Sequence, residues 1–358
     1  MPTAPSPPNP APALPERLAL PPHWSVLPLG PDARLLGLDP GSAIAVEGLS
    51  GGLAAMLDEL RVPAGSVGLL ARALERGVEA EQAIELLRRL VEAGALVDAA
   101  VAERGVRLRR DSVVVVTGEG PIAVGVVVGL VRAGVGTVYT ETGGAVLAGD
   151  LGTGFLDADR GRDRSGATRD AVRRLCPQAD AAALPLRAIP DLVVLTDALA
   201  PEPARIARLH TDLTPHLPVR LRDGVGVIGP LVLPGRSACL GCLELHRRSR
   251  APEWPRVSAQ LSGRAGRAGP AETAATAALA AAQVLTCVDA VVGGGDPPPT
   301  LQTSIEFDAA AGTIVRRPWT PHPDCGCGSA QAARAASGGL RHGAVTSADR
   351  GGRETIMV

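Results

Sequence analysis

Short apolar runs alternate with turn residues at the start of the patterned part of the sequence. The runs are predicted strands, because the triplets 30–32 (Gly-Pro-Asp) and 39–41 (Asp-Pro-Gly) between them favour tight turns. They cover residues 25–29, 34–38 and 42–46. Three segments with helical spacing follow: one capped by Ser50 and ended by Pro63, one over residues 66–75 and one over residues 80–93. Three strands and three helices with short connections predict a winged helix over residues 21–105.

The pattern changes to that of an α/β fold after residue 105. Residues 112–117 are apolar enough for a buried strand, and a glycine turn over residues 118–123 precedes an apolar helix that continues to Arg132. A second strand over residues 137–140 ends at Glu141. This order is typical of a Rossmann-like nucleotide-binding fold, and we assign it to a second domain over residues 106–328.

The glycine turn carries a candidate nucleotide site. Gly118, Gly120 and Ala123 match the G-x-G-x-x-G/A pattern, and Glu141 follows at about the distance from which an acid holds a ribose hydroxyl. Asp197 ends a further predicted strand, where open sheets place ligands and where an aspartate could coordinate magnesium or simply form a turn. Pro121 argues against phosphate binding, because it removes a backbone donor from the turn. Otherwise the glycines serve close packing of strand and helix.

Two close pairs of cysteines predict a metal site. Cys239 and Cys242 form a C-x-x-C motif, and Cys325 and Cys327 form a C-x-C motif. Four thiolates are the ligand set of a closed structural zinc site, with no open position for catalysis. Chance pairing of reduced thiols is the alternative. Cys287 is predicted to be a small core residue, and His322 either orients the loop of the second pair or faces solvent.

The charges weaken the case for nucleic-acid binding. The net charge is -1 and the sequence contains no lysine. Residues 21–105 carry seven arginines and twelve carboxylates, and the third predicted helix begins among Glu79, Glu81 and Glu85. Acidic side chains would face phosphate oxygens in a DNA groove, so we expect no nucleic-acid partner.

A winged helix can instead accept a peptide. An added strand could pair with a free edge of the third strand, while the third helix supplies side-chain pockets. The predicted peptide-binding residues are Ser42, Ala43, Ile44, Ala45 and Val46 on the strand, with Gln82, Glu85, Leu86 and Arg89 on the helix. Packing against a neighbouring domain is the simpler alternative.

The two ends and the charged segments indicate less about function. Residues 1–20 are rich in proline and residues 329–358 lack an apolar pattern, so both are predicted to be disordered. The cluster Arg160, Arg162 and Arg164 could hold phosphates or form a charged surface loop with nearby aspartates. No secretory signal is recognisable, and the uncharged run over residues 273–288 is too short and polar to span a bilayer. We expect a cytoplasmic protein without a membrane partner.

The thiol motifs and their surroundings resemble a known family. Residues 229–242, the pair Trp254-Pro255 and residues 318–327 are similar to the signature of ThiF-like (ubiquitin-activating-type) partner proteins of azoline-forming cyclodehydratases, which act in ribosomal peptide natural-product and bacteriocin pathways. The resemblance spans residues 21–328. It implies that the winged helix captures the leader of a precursor peptide. It also implies that the zinc-bearing domain docks a YcaO-type enzyme, which performs the ATP chemistry, and this fold commonly forms homodimers.

Departures from the adenylating members of that group concern ATP. Pro121 interrupts the turn, Glu141 stands where those members have aspartate, no Asn-x-x-Arg element follows, and no lysine is present for the phosphates. These differences argue against an intact ATP site. The sequence therefore predicts a non-catalytic subunit that presents a precursor peptide to a cyclodehydratase. The alternative is an active ThiF-like adenylyltransferase that activates a peptide or carrier-protein carboxylate.

Overall fold

The computed structural model describes residues 14–177, 189–332 and 354–357. Contacts divide the chain into two compact units. The N-terminal unit comprises Met1–Arg104 together with Ala344–Val358, and the larger unit comprises Gly105–Gly343.

The secondary structure of both units is mixed. The strands are β1 Arg17–Ala19, β2 Val26–Gly30, β3 Ala33–Leu36, β4 Ile44–Glu47, β5 Ala64–Gly65, β6 Val97–Asp98, β7 Val113–Thr117, β8 Thr137–Glu141, β9 Leu192–Thr196, β10 His216–Arg222, β11 Val225–Ile228, β12 Thr303–Asp308, β13 Thr313–Pro318 and β14 Glu354–Met357. The α-helices are α1 Gly51–Glu59, α2 Ser66–Glu75, α3 Ala80–Glu92, α4 Ala99–Asp111, α5 Pro121–Arg132, α6 Arg164–Leu175, α7 Pro203–Thr211, α8 Leu240–Arg250, α9 Trp254–Leu261 and α10 Pro270–Gly293.

The N-terminal unit contains two small sheets and helices α1 to α3. One sheet has the order β5-β1-β6 and the other the order β14-β4-β3-β2. The apolar faces of the helices meet a common core that includes Leu36, Leu53, Leu57 and Leu87. Ser50 caps α1 as predicted, since its side chain accepts a hydrogen bond from the Leu53 amide. The three predicted strands and three predicted helices are present, but β1, β5, β6 and β14 are additional, so the winged-helix assignment remains a prediction.

The prediction of disorder at both ends of the chain was partly wrong. Residues 1–13 and 333–353 lie outside the described residues. Arg17–Ala19, however, forms β1 between β5 and β6, and Glu354–Met357 forms β14 beside β4. Both segments are too short to show a convincing period of two in the sequence, and partner strands distant in the chain stabilise them.

A seven-stranded sheet organises the larger unit. Its order is β13-β12-β11-β10-β9-β7-β8. Strands β8, β7, β9 and β10 are parallel, and β11, β12 and β13 continue the sheet with antiparallel pairing. Because β7 lies between β8 and β9, the turn after β7 faces the carboxyl ends of both neighbouring parallel strands. This is the arrangement that the sequence pattern predicted for an α/β domain.

Helices α5 and α10 cross closely beside this sheet. A Cβ atom added at Gly125 would lie 2.7 Å from the Ala277 Cβ atom, and one added at Gly129 would lie 2.7 Å from the Ala281 Cβ atom. Small residues one turn apart on each helix therefore allow the backbones to approach. Among the described residues α10 alone is long and apolar enough to cross a membrane by length and composition. The helix extends the uncharged run of residues 273–288 at both ends. A buried core helix meets the same criterion, and residues of α10 belong to the core of the larger unit.

The helix crossing yields a stability prediction with a matched control. We expect Gly129→Ala to destabilise the larger unit by about 1–3 kcal/mol, because the new methyl group overlaps Ala281 in a filled interface. Gly105→Ala makes the same change in α4, where nothing lies within 4 Å of the added Cβ atom, and should stabilise by up to about 1 kcal/mol. Urea unfolding of both variants measures the difference. Equal effects would contradict the close crossing.

Candidate functional site

The four predicted metal ligands come together in the larger unit. Cys239 precedes α8 and Cys242 lies in its first turn, while Cys325 and Cys327 belong to the loop after β13. The four sulfur atoms lie within 4.8 Å of one another. The Sγ–Sγ distances are 3.7 Å between Cys239 and Cys242, 3.6 Å between Cys239 and Cys325, and 3.7 Å between Cys242 and Cys327.

These distances fit a tetrahedral zinc ion. Zn–S bonds of about 2.3 Å place sulfur atoms about 3.8 Å apart at the corners of a tetrahedron. A Cβ atom at Gly241 would lie 3.4 Å from both the Cys239 and the Cys325 sulfur, so glycine leaves the sulfurs room to converge. With four thiolates the coordination is closed, and the arrangement can hold a structural ion.

The thiols also shift one another's pKa values in opposite directions. The Cys239 thiol donates to the Cys242 sulfur and lowers the pKa of Cys242 to about 4. The same contact, together with burial, raises the pKa of Cys239. One thiolate therefore forms readily, but further negative charges at this spacing need a cation to compensate them.

Aromatic side chains fix the loop that carries the second thiol pair. Trp319 is buried, and its indole N–H donates to the Ser304 hydroxyl at 2.8 Å. His246 donates to the Thr320 carbonyl at 3.0 Å and packs edge-on against His322. The Asp324 amide donates to Nδ1 of His322 at 3.1 Å. These contacts favour a role for His322 in orienting the loop. The preferred expectation of a solvent-facing histidine was wrong, because only 12% of its side chain is exposed.

We expect zinc binding to depend on the second thiol pair. Cys325→Ser should remove stoichiometric zinc and lower the unfolding temperature of the larger unit, because three thiolates and a hydroxyl bind zinc more weakly than four thiolates. Elemental analysis of the purified protein and thermal unfolding measure both effects. Cys176→Ser is the matched control, since Cys176 lies outside the cluster. Full zinc occupancy in Cys325→Ser would refute the assignment.

The glycine turn after β7 is filled by a carboxylate. Asp197 follows β9 and is 2% exposed, and its oxygens accept hydrogen bonds from the amides of Gly120 (3.1 Å), Ile122 (3.0 Å) and Ala123 (3.3 Å). The Thr196 hydroxyl donates to the same group at 2.7 Å. Burial raises the pKa of Asp197, and these four hydrogen bonds oppose that shift. The first-turn donors of α5, which form an anion site in nucleotide-binding folds, are satisfied from within the chain.

The glycines make this contact possible. A Cβ atom at Gly118 would lie 2.1 Å from the Thr196 Oγ1 atom, and one at Gly120 would lie 2.4 Å from the Asp197 Oδ1 atom. Gly118 also has a φ of 158°, at the edge of the positive region. The geometry favours the packing role of these glycines over a phosphate cradle. It also favours Asp197 as a structural acceptor over a magnesium ligand, because both oxygens already accept hydrogen bonds.

A cavity of about 240 Å³ opens beside the turn. Its walls include Glu119, Glu141 and Glu202 as well as Arg205. Glu141, the candidate ribose ligand, forms an ion pair with Arg205 at 2.6 Å. Asp197 also lines the cavity, so four carboxyl groups stand against one arginine, a balance that disfavours a triphosphate.

The arginine cluster near α6 is paired internally. Arg162 bridges Asp159 at 2.6 Å and Asp170 at 2.5 Å, and the buried Arg164 pairs with Asp150 at 2.9 Å. Arg160 pairs with Asp157 on the surface. The loop is charged as predicted, but it is held by a partly buried ion-pair network. Neither Arg162 nor Arg164 is free to replace a phosphate-binding lysine.

Asp197→Ala should destabilise the larger unit by about 2–4 kcal/mol, because three amides at the start of α5 lose their buried acceptor. Asp157→Ala, at a largely exposed carboxylate, is the control and should change stability by less than about 0.5 kcal/mol. Chemical denaturation measures both. An unchanged free energy of unfolding in Asp197→Ala would show that water satisfies these amides equally well.

The predicted peptide-binding edge lies in the N-terminal unit and is not free. Strand β4 contains Ile44, Ala45 and Val46, and β14 pairs with it in parallel. Ser42 and Ala43 precede the strand. On α3, Gln82 and Glu85 are exposed and Leu86 is buried, whereas Arg89 donates to the Met357 carbonyl at 2.6 Å. The expectation of an open edge was therefore wrong, and residues 354–357 are the part of this site that the sequence pattern missed.

The fold is shared with enzymes of known structure. The sequence matches no protein-family model and no curated protein. A structure of E. coli MccB with ATP aligns at a TM-score of 0.63 and 14% identity, covering 87% of this chain and 99% of MccB. The microcin C7 biosynthetic enzyme MccB in complex with N-formylated MccA aligns at 0.63 and 15% identity, with the same coverage. The heterocyclase TruD aligns at 0.55 and 19% identity, covering 89% of this chain and 44% of TruD. At these identities the comparisons establish that the chain has the fold of MccB and of part of TruD.

Proposed function

We propose that this protein is a non-catalytic subunit that binds the leader of a ribosomally synthesised precursor peptide. It presents the core of that peptide to a YcaO-type cyclodehydratase, which closes Cys, Ser or Thr residues to azolines with ATP. The observation that carries the proposal is the Asp197 carboxylate, which occupies the hydrogen-bond donors at the start of α5. Donors at such a helix start bind phosphate in nucleotide-binding folds, so their occupation by Asp197 argues against adenylation.

The peptide-binding role is supported by the N-terminal unit. Strand β4 lies next to a short strand from a distant part of the chain, so its edge can accept an added extended segment. Residues of α3 lie close enough to hydrogen-bond that segment, as Arg89 does. The fold is shared with MccB, one structure of which holds N-formylated MccA, and with the heterocyclase TruD.

Tethering explains how a subunit without its own chemistry accelerates a reaction. A leader held at one site confines the flexible core peptide near the enzyme at roughly millimolar effective concentration. No contact with the reacting atoms is required. The thiol cluster then serves as a rigid scaffold, which we propose supports docking of the YcaO-type enzyme in the cytoplasm.

The alternative is an active adenylyltransferase. It is favoured by the fold shared with MccB, since one MccB structure holds ATP, and by the cavity beside the glycine turn. The filled donors, the acidic groups of that cavity and the absence of lysine count against it.

Two assays on the purified protein separate these functions. We expect no ATP–pyrophosphate exchange with or without a precursor peptide, because the phosphate donors are used by Asp197. When the protein is added to a YcaO-type enzyme and a precursor from the same gene neighbourhood, the precursor should lose one water for each ring formed. Mass spectrometry of the precursor measures this loss. The same mixture without this protein is the control. Exchange activity, or equal ring formation in the control, would contradict the proposal.

A further inference from the structure

Strand β14 occupies the edge of β4 as an added peptide would. Its four residues pair in parallel with β4, with Glu354 opposite Ile44, Thr355 opposite Ala45, Ile356 opposite Val46 and Met357 opposite Glu47. In sequence these strands are separated by most of the chain. The pairing therefore closes one edge of the sheet with a segment that is distant in the sequence.

One side chain anchors this strand. Ile356 is 4% exposed and belongs to the core of the N-terminal unit, together with Ile44 and Val46 of β4. Thr355 and Met357 on either side are exposed. The site thus takes an extended segment with an aliphatic side chain pointing inward and neighbours that are not selected by packing.

A helix side chain closes the end of the site. The Arg89 guanidinium donates to the main-chain carbonyl of Met357 at 2.6 Å, so it recognises backbone and no particular side chain. The neighbouring Arg88 instead pairs with Glu85 and Glu92 on its own helix. Of these two arginines, Arg89 is thus the one that holds the added strand.

We propose that residues 354–357 are a resident strand in the peptide-binding site and that a bound peptide must displace them. The preferred peptide is an extended segment parallel to β4, with a Val- or Ile-like residue in the Ile356 position. This inference rests on the proposed function for the identity of the natural peptide, a precursor leader. The resident strand sets a threshold: only a segment that pairs better than Glu354–Met357 at its high effective concentration occupies the edge.

The probe is a fluorescent synthetic peptide with the sequence of residues 350–358, titrated against the full chain by anisotropy. Ile356→Asn removes the anchor of the resident strand, so this variant should bind the probe at least fivefold more tightly than the unaltered chain. Ile356→Val keeps an aliphatic anchor and is the matched control. A smaller ratio, or no binding by Ile356→Asn, would overturn the inference.

A second pair of variants tests the carbonyl contact. In the Ile356→Asn chain, Arg89→Met should weaken probe binding about tenfold, as expected for loss of a charged hydrogen bond. Arg88→Met on the same helix should leave it within twofold. If the two substitutions changed probe affinity equally, the probe would be bound elsewhere.

Hydrogen exchange on the unaltered chain covers the case in which Ile356→Asn does not fold. With excess unlabelled probe, amides of β14 should lose protection while those of β4 keep it. Retained protection of β14 would overturn the inference. These experiments use the synthetic probe and no precursor, so they test the displaceable strand separately from the proposed function. If the probe displaces β14 but a precursor leader does not bind in a separate titration, the proposed function is refuted and the inference about β14 stands.

Discussion

The larger unit depends on how the start of α5 satisfies its backbone donors. A helix leaves its first amides without intrahelical partners, and burial makes each missing acceptor costly. Here the Asp197 carboxylate supplies the acceptor, and Gly118 and Gly120 allow strand, turn and carboxylate to approach closely. The same donors would bind a phosphate in a nucleotide-binding relative. A single side chain therefore satisfies the start of α5 and occupies the donors that a phosphate would use.

The thiol cluster solves a different problem in the same unit. The loop after β13 contains little apolar surface of its own, yet it must remain close to the start of α8. Four sulfurs at tetrahedral spacing can hold it through a metal ion, and Trp319 and His322 within the loop add hydrogen bonds. A closed ligand set of this kind, if it holds zinc, makes the loop rigid without providing a catalytic position.

The N-terminal unit covers one edge of its larger sheet with a strand that is distant in the sequence. An open edge invites unspecific pairing. Strand β14 covers it through parallel pairing with β4, the buried Ile356 side chain and the Arg89 contact to the Met357 carbonyl. If β14 is displaced as we propose, peptide selection follows from competition with an internal segment, because backbone contacts by themselves distinguish few sequences.

The sequence by itself determined the periodic elements and the ligand chemistry. Helices such as α2 and α3 and the strands of the parallel sheet carry strong local patterns, and two close cysteine pairs specify a thiolate site through their spacing alone. Only the tertiary structure decided that Asp197 fills the glycine turn, that His322 is enclosed, and that Glu354–Met357 covers β4. Each of these depends on groups far apart in the chain meeting in space, and a short strand or a lone carboxylate carries no local signal of its partner.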